Sequence, residues 1–153
     1  MTTITENIFE TRLVQLFSAA DPFHMDCGER LFPVTVAYET YGELNAASDN
    51  AILVCHALTG SAHAAGLSTD DPKSAGWWNS FIGDGKTLDT KKYFVICSNI
   101  LGGCYGTTGS VSFDQKSGKP YGMRFPQMTV RDMVRVEKKL IDFLGVNQLR
   151  TAI

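Results

Sequence analysis

Ala51-Ile52-Leu53-Val54-Cys55-His56-Ala57-Leu58-Thr59-Gly60 decides how this chain folds. Its first five residues carry no charge and no polar oxygen or nitrogen in their side chains, so water has nothing to solvate on either face. A short run of this kind suits a strand buried on both sides, the environment of a parallel sheet. It breaks at a histidine and a glycine, as a strand does when it opens into a loop. Tyr93 to Cys97 (YFVIC) repeats the pattern and opens into the glycine-rich stretch from Ser98 to Ser110.

Working outward, Thr129 to Leu144 places Val130, Met133, Val134, Leu140, Ile141 and Leu144 at spacings of three and four, the period of an amphipathic helix. Thr129 and Asp132 are placed to cap its start and Gly145 to end it. Leu149 to Ile153 begins another apolar run. On the N-terminal side Val34, Val36 and Tyr38 alternate with Thr35, Ala37 and Glu39, the period of a half-buried strand. The turn-like Cys27-Gly28-Glu29 before it suggests an antiparallel pair. Strand, loop, strand, loop, helix, strand is the rhythm of an α/β fold with a mostly parallel sheet and an antiparallel N-terminal hairpin. Ligands in such sheets collect at the carboxyl ends of the strands, here His56 to His63 and Ser98 to Ser110.

A length of 153 residues, 44% hydrophobic and 20% charged, fits one globular domain over residues 1–153. Fourteen basic against sixteen acidic residues give a net charge of −2, with no like-charge run longer than a pair. That balance argues against a nucleic-acid or anionic-membrane partner. The longest uncharged stretch, Tyr93 to Phe113, holds four glycines and several hydroxyls and is too polar for a membrane helix. The N-terminus has no basic segment followed by an apolar core, so a cytoplasmic location is expected. Cysteines 27, 55, 97 and 104 lack the spacing of a zinc site, and no metal is expected. Cys55 and Cys97, inside apolar runs, read as reduced, buried thiols.

Two readings stand for the His56 to Gly60 turn. A tight turn after a buried strand can present backbone N–H groups to a developing oxyanion, or its histidine can simply satisfy a loop carbonyl. Gly102-Gly103-Cys104-Tyr105-Gly106 has the spacing of a nucleophile elbow with cysteine in the serine place. A thiol hydrolase using Cys104 with His56 or His63 is thus an alternative, although Gly109 and β-branched residues stand where the elbow's helix should begin. No serine has glycine at both required offsets, and all three histidines lie in the first half, so a triad in the order serine, acid, histidine cannot be assembled here. Gly83 to Thr87 is an incomplete phosphate loop. Trp77-Trp78 suits the packing of a loop onto the sheet, and Arg124 suits a capping or surface role.

VAYETYGELN (36–45), HALTGSAH (56–63), GWWNSFIGDGKTLDTKKYFVICSNILGGCYGTTGS (76–110) and SGKPYGMRFPQMTVRDMV (117–134) resemble the N-terminal part of the homoserine O-acetyltransferase family. The resemblance runs from about residue 12 to the end. It implies an α/β-hydrolase fold and transfer of acetyl from acetyl-CoA, a co-substrate rather than a bound cofactor, to L-homoserine in methionine biosynthesis. It also implies a homodimer for the full-length protein. The family's serine sits in a Gly-Gly-Ser-Met-Gly-Gly elbow just after the strand that Leu149 begins, so the chain is expected to be an N-terminal portion ending before the nucleophile, and inactive by itself. Residue by residue, the resemblance makes the backbone N–H of Leu58 one oxyanion donor. Thr59 and Gly60 would border the acyl site, with Gly102, Gly103 and Cys104 near the substrate. Acetyl or succinyl as the group moved, and homoserine or serine as acceptor, stay open. The family usually has proline at the positions of Asp84 and Ser110, which would leave these two loops less rigid. The competing reading is a non-catalytic half-domain that binds a partner through an open sheet edge.

Overall fold

The computed structural model describes residues 8–69 and 73–153, so most of the N-terminal segment read above for a targeting signal lies outside the described residues. Its principal elements are β1 (Arg12–Phe17), β2 (Val34–Tyr41), β3 (Ala51–Val54), β4 (Phe94–Ser98), α1 (Val130–Phe143) and β5 (Leu149–Ala152). The strand order is β5-β3-β4-β2-β1. β3 runs parallel to both β4 and β5, while β4 and β2 are antiparallel. The chain divides into two compact units, one comprising the described residues to Arg12 with Tyr38–Ser98 and Val146–Ile153, the other Leu13–Ala37 with Asn99–Gly145.

In the first unit the two apolar runs form the expected inner strands. Val95 stands opposite Ile52, Cys97 opposite Val54, and every residue of β3 and β4 is buried. Ile52, Val54, Val95 and Cys97 share a core with Tyr41, Ala64, Ala65, Ile82 and Leu88, and Trp78 packs against it. Of the paired tryptophans Trp78 holds its loop to the sheet, while Trp77 is exposed, its ring centroid 5.2 Å from that of Trp78. Cys97 is buried as expected, but Cys55 is exposed. The reason is local: β3 ends at Val54, and what pairs at position 55 is the backbone, whose N–H donates to Ile153 O at 2.8 Å.

The half-buried reading of β2 also needs correction. Glu39, placed on the polar side by alternation, is 1% exposed. The segment Ala62 to Ala65 covers that face of the strand, bonded to the Tyr41 hydroxyl two residues further on.

In the second unit, Phe23–His24 pairs antiparallel with Arg30–Leu31 across the predicted turn. Gly28 closes that turn at φ +87°, a left-handed conformation that costs a side-chain-bearing residue energy. The helix is where its period put it and carries a capping box: the Thr129 hydroxyl accepts the Asp132 N–H at 3.1 Å, and the Asp132 carboxylate accepts the Thr129 N–H at 2.8 Å. Its buried positions are Asp132, Val136, Glu137, Leu140 and Ile141, whereas Val130 and Val134 are 73% and 54% exposed. Asp132 explains the rotation. Its other oxygen accepts the Asp26 N–H at 3.0 Å, which turns positions 132, 136 and 140 inward and positions 130 and 134 out. Among the described residues no helix is long and apolar enough to cross a membrane.

Burial pushes the Asp132 carboxyl up, but the Thr129 and Asp26 N–H groups and Arg135 together outweigh it and hold the group below the usual carboxylate range. The folded pKa therefore lies below the unfolded one, and the ionised carboxylate stabilises the fold above about pH 4 and loses that effect as pH falls through the folded value. Asp132→Asn should lower the urea midpoint at neutral pH, and the gap to the native chain should shrink below about pH 4.

Candidate functional site

The site grows out of the carboxyl end of β3, which has β4 on one side and β5 on the other. After Cys55 the chain reverses in a tight turn in which the Gly60 N–H donates to Ala57 O at 2.8 Å. Glycine suits its close: a Cβ on Gly60 would stand a tight 3.1 Å from His56 Cβ and 3.2 Å from Ala57 O. The turn pushes Leu58 outward, 90% exposed. Among the described residues the Leu58 backbone N–H has no hydrogen-bond acceptor. His56 Nδ1 lies 2.7 Å from Ala57 O. Nε2 of the same ring is shielded and has no partner among the described residues.

Behind the turn the chain is fastened at almost every residue. Trp77 Nε1 donates to Ser61 O at 2.9 Å. The Tyr41 hydroxyl lies 3.1 Å from Ala62 O and accepts the N–H groups of Ala64 at 2.8 Å and Ala65 at 3.1 Å. Its proton is directed at the Glu39 carboxylate, 2.8 Å away. The same carboxylate accepts from Thr11 Oγ1 at 2.7 Å and from His63 Nδ1 at 3.1 Å. Burial first, then the negative charge of Glu39, raises the Tyr41 phenol well above its ordinary value. Glu39, Tyr41 and His63 were not singled out by the sequence reading. The available signal was an acid and a tyrosine two apart, on one face of a strand otherwise rich in apolar residues.

The loop carrying Gly102, Gly103 and Cys104 belongs to the second unit. Gly102 adopts φ +84°, and a Cβ there would collide with the Met128 side chain. A Cβ on Gly109 would collide with the Gly103 carbonyl. The loop is tied to the start of β2 by two buried threonines. Thr107 Oγ1 accepts the Ala37 N–H at 2.9 Å and donates to Asn99 O at 2.7 Å, while Thr108 Oγ1 accepts the Thr35 N–H at 2.9 Å. Cys104 is exposed, and the chain after it passes through bends and a bridge between Gly102 and Gly109 instead of entering a helix. The strand-turn-helix geometry of a nucleophile elbow is therefore absent, and Cys104 has no helix N-terminus to stabilise a thiolate.

The remaining sequence candidates take structural roles. Arg124 pairs with Asp114 at 3.0 Å and donates to Pro120 O at 3.0 Å. Gly83 to Thr87 leads into the short strand Leu88–Asp89, not a helix, so no phosphate cradle forms. Lys86 Nζ folds back onto Asn79 O, and Asp84 pairs with Lys91 at 2.8 Å. Among the described residues no group of three or more histidine, cysteine, aspartate or glutamate side chains could hold a metal ion.

No protein-family model matches the chain. Relatives are nonetheless plentiful. Over 129 residues, 84% of this chain, it is 61% identical to the homoserine O-acetyltransferase of Deferribacter desulfuricans, 34% of which is covered. It is 52% identical over 142 residues to the homoserine O-succinyltransferase of Nitrosospira multiformis, covering 93% of this chain and 38% of that protein. Among solved structures, homoserine O-acetyltransferase from Bacillus anthracis matches with a TM-score of 0.86 and 36% identity, covering 95% of this chain and 39% of that one. Esterase E22 matches with a TM-score of 0.84 and 37% identity, covering 94% of this chain and 40% of that one. The chain thus spans about a third of the length of the curated relatives it matches. Over most of its own length it is similar to about a third of homoserine O-acetyltransferase sequences, and its fold is part of an α/β-hydrolase fold.

The tyrosine at the centre of the cluster gives a spectroscopic check. With its pKa above the unfolded value of about 10, the neutral Tyr41 phenol stabilises the fold up to that pH, and the effect is lost as pH rises further. Up to about pH 11 the folded native chain and Tyr41→Phe should show the same ultraviolet tyrosinate titration. Unfolding at that pH should release one additional tyrosinate in the native chain only.

Proposed function

We propose that this chain supplies one half of the oxyanion hole of an acyltransferase that moves acetyl from acetyl-CoA to the side-chain hydroxyl of L-homoserine, a step of methionine biosynthesis. The observation that carries the reading is the Leu58 N–H, which has no acceptor among the described residues and belongs to an exposed residue at the carboxyl end of a strand paired on both sides. Thr59 and Gly60 then border the acyl group, and Gly102, Gly103 and Cys104 lie on a substrate-side loop of the complete enzyme. The second donor is the N–H that follows the nucleophilic serine in the family's elbow, a motif with no counterpart among these 153 residues. That serine, activated by histidine and aspartate, takes the acyl group, releases CoA and passes acetyl to homoserine. As attack proceeds the carbonyl oxygen gathers negative charge, and a preorganised N–H stabilises it more than it stabilises the ground state. The complete enzyme is read as a cytoplasmic homodimer. Relatives named for acetyl and for succinyl transfer both match, and acetyl is favoured by the more similar ones.

A second reading rests on β5, which stands at the end of the strand order with β3 as its only neighbour among the described residues. An edge of this kind presents unpaired backbone groups to another chain, which suits a non-catalytic half-domain bound to a partner.

Co-expression separates the two readings. Combined with the part of the Deferribacter relative that this chain does not match, the chain should restore O-acetylhomoserine formation, and the chain alone should show none. Leu58→Pro, which removes the N–H, should lower the restored rate about a hundred- to a thousand-fold. A complex that forms but stays inactive would favour the half-domain, and full activity of Leu58→Pro would remove Leu58 from the oxyanion hole.

A further inference from the structure

The Leu58 N–H is only as useful as its direction, and nothing bonded to Leu58 itself sets that direction. The constraint comes through its peptide bond. A trans peptide is planar, so the Ala57 carbonyl and the Leu58 N–H share one rigid plane and point in opposite senses. Whatever holds the Ala57 oxygen therefore aims the Leu58 hydrogen.

Two groups hold that oxygen. The Gly60 N–H donates to it at 2.8 Å. His56 Nδ1 lies 2.7 Å from it. A carbonyl oxygen only accepts, so the imidazole nitrogen facing it must carry the ring proton. A carbonyl oxygen has two lone pairs and can accept from both donors. Nε2 is then the bare nitrogen of the ring, shielded and without a partner among the described residues. The lack of a side chain on Gly60 leaves room for this arrangement, since its Cβ would press on both His56 Cβ and the Ala57 oxygen.

We infer that His56 is a positioning residue for the Leu58 oxyanion donor: its Nδ1–H bond to Ala57 O fixes the plane of the Ala57–Leu58 peptide. The bond has an electronic effect in the same direction. Hydrogen bonds accepted by a carbonyl draw density out of the amide and make the N–H at the far end of that peptide a stronger donor. The inference rests on the reading of Leu58 as an oxyanion donor, but the geometry it asserts is present in the chain by itself. Between the two readings of the turn made from sequence, a histidine satisfying a loop carbonyl and an N–H for an oxyanion, the structure makes the first the means of the second.

Nuclear magnetic resonance on the isotope-labelled 153-residue chain tests this without catalysis. The ring nitrogens of His56 should report the tautomer with the proton on Nδ1. The residual dipolar coupling of the Leu58 amide, which measures the direction of the N–H vector, should be averaged towards zero in His56→Phe. It should be retained in His56→Asn, whose side-chain amide can donate from nearly the same place as Nδ1. Couplings of Ile52 and Ile96 should be unchanged in both variants, showing that the sheet is intact. A proton on Nε2, or an unchanged Leu58 coupling in a folded His56→Phe, overturns the inference. If His56→Phe does not fold, the tautomer in the native chain decides. Failure of the parent reading is separate: it would appear as full activity of Leu58→Pro in the co-expressed enzyme, whatever the coupling shows.

Discussion

A carboxylate taken out of water has to be repaid in hydrogen bonds, and the arrangement of the loop after β3 in the first unit follows from how Glu39 meets that requirement. It is 1% exposed and collects protons from Thr11, Tyr41 and His63. Tyr41, having directed its proton towards Glu39, uses its oxygen to accept the backbone N–H groups of Ala64 and Ala65. One buried charge, with the tyrosine it orients, thus fastens the chain from Ala62 to Ala65, and the exposed turn ahead of it inherits a fixed exit. Its entry is fixed by β3, which is paired on both sides. A turn held at both ends can leave an N–H unpaired and still keep it in one place, the condition an oxyanion donor must satisfy.

The same economy governs the loop of the second unit. Thr107 and Thr108 are buried because each hydroxyl serves a backbone group of the β2 segment that a regular strand partner would otherwise serve. Gly109 is required where the Gly102–Gly103 backbone approaches too closely for a Cβ, and Gly102 is favoured by its left-handed backbone at φ +84°. The glycine-rich stretch is a shaped surface, not a slack connection, and its shape excludes the elbow its spacing resembles.

Much of this was legible in the residues. Uninterrupted apolar runs point to strands buried on both faces, so β3 and β4 follow from composition, and α1 from its period and its capping pair; β5, expected as another apolar run, carries Arg150 and Thr151 and is mostly exposed. What failed did so for identifiable reasons. Alternation in β2 placed Glu39 in water because period alone does not reveal that a distant loop covers the second face. Cys55 is expected inside because an apolar run does not show where burial stops. Val130 and Val134 lie on an apolar stripe of α1, but the helix rotation is set by Asp132 gripping the Asp26 backbone, a contact 106 residues apart in sequence. Leu58 is the reverse case. Spacing leaves its turn open between two readings, and only the resemblance favours the oxyanion one.

The dependence of the loop on a buried charge is the claim on which the rest stands, and amide hydrogen exchange in Glu39→Gln measures it most directly. The substitution keeps the shape and removes the charge that draws the Tyr41 proton. Exchange at Ala64 and Ala65 should accelerate by about tenfold or more, corresponding to at least one charge-assisted bond lost, while Ile96 in the middle of β4 exchanges as before. Unchanged protection at Ala64 and Ala65 would mean that backbone pairing alone holds the loop and would contradict the account.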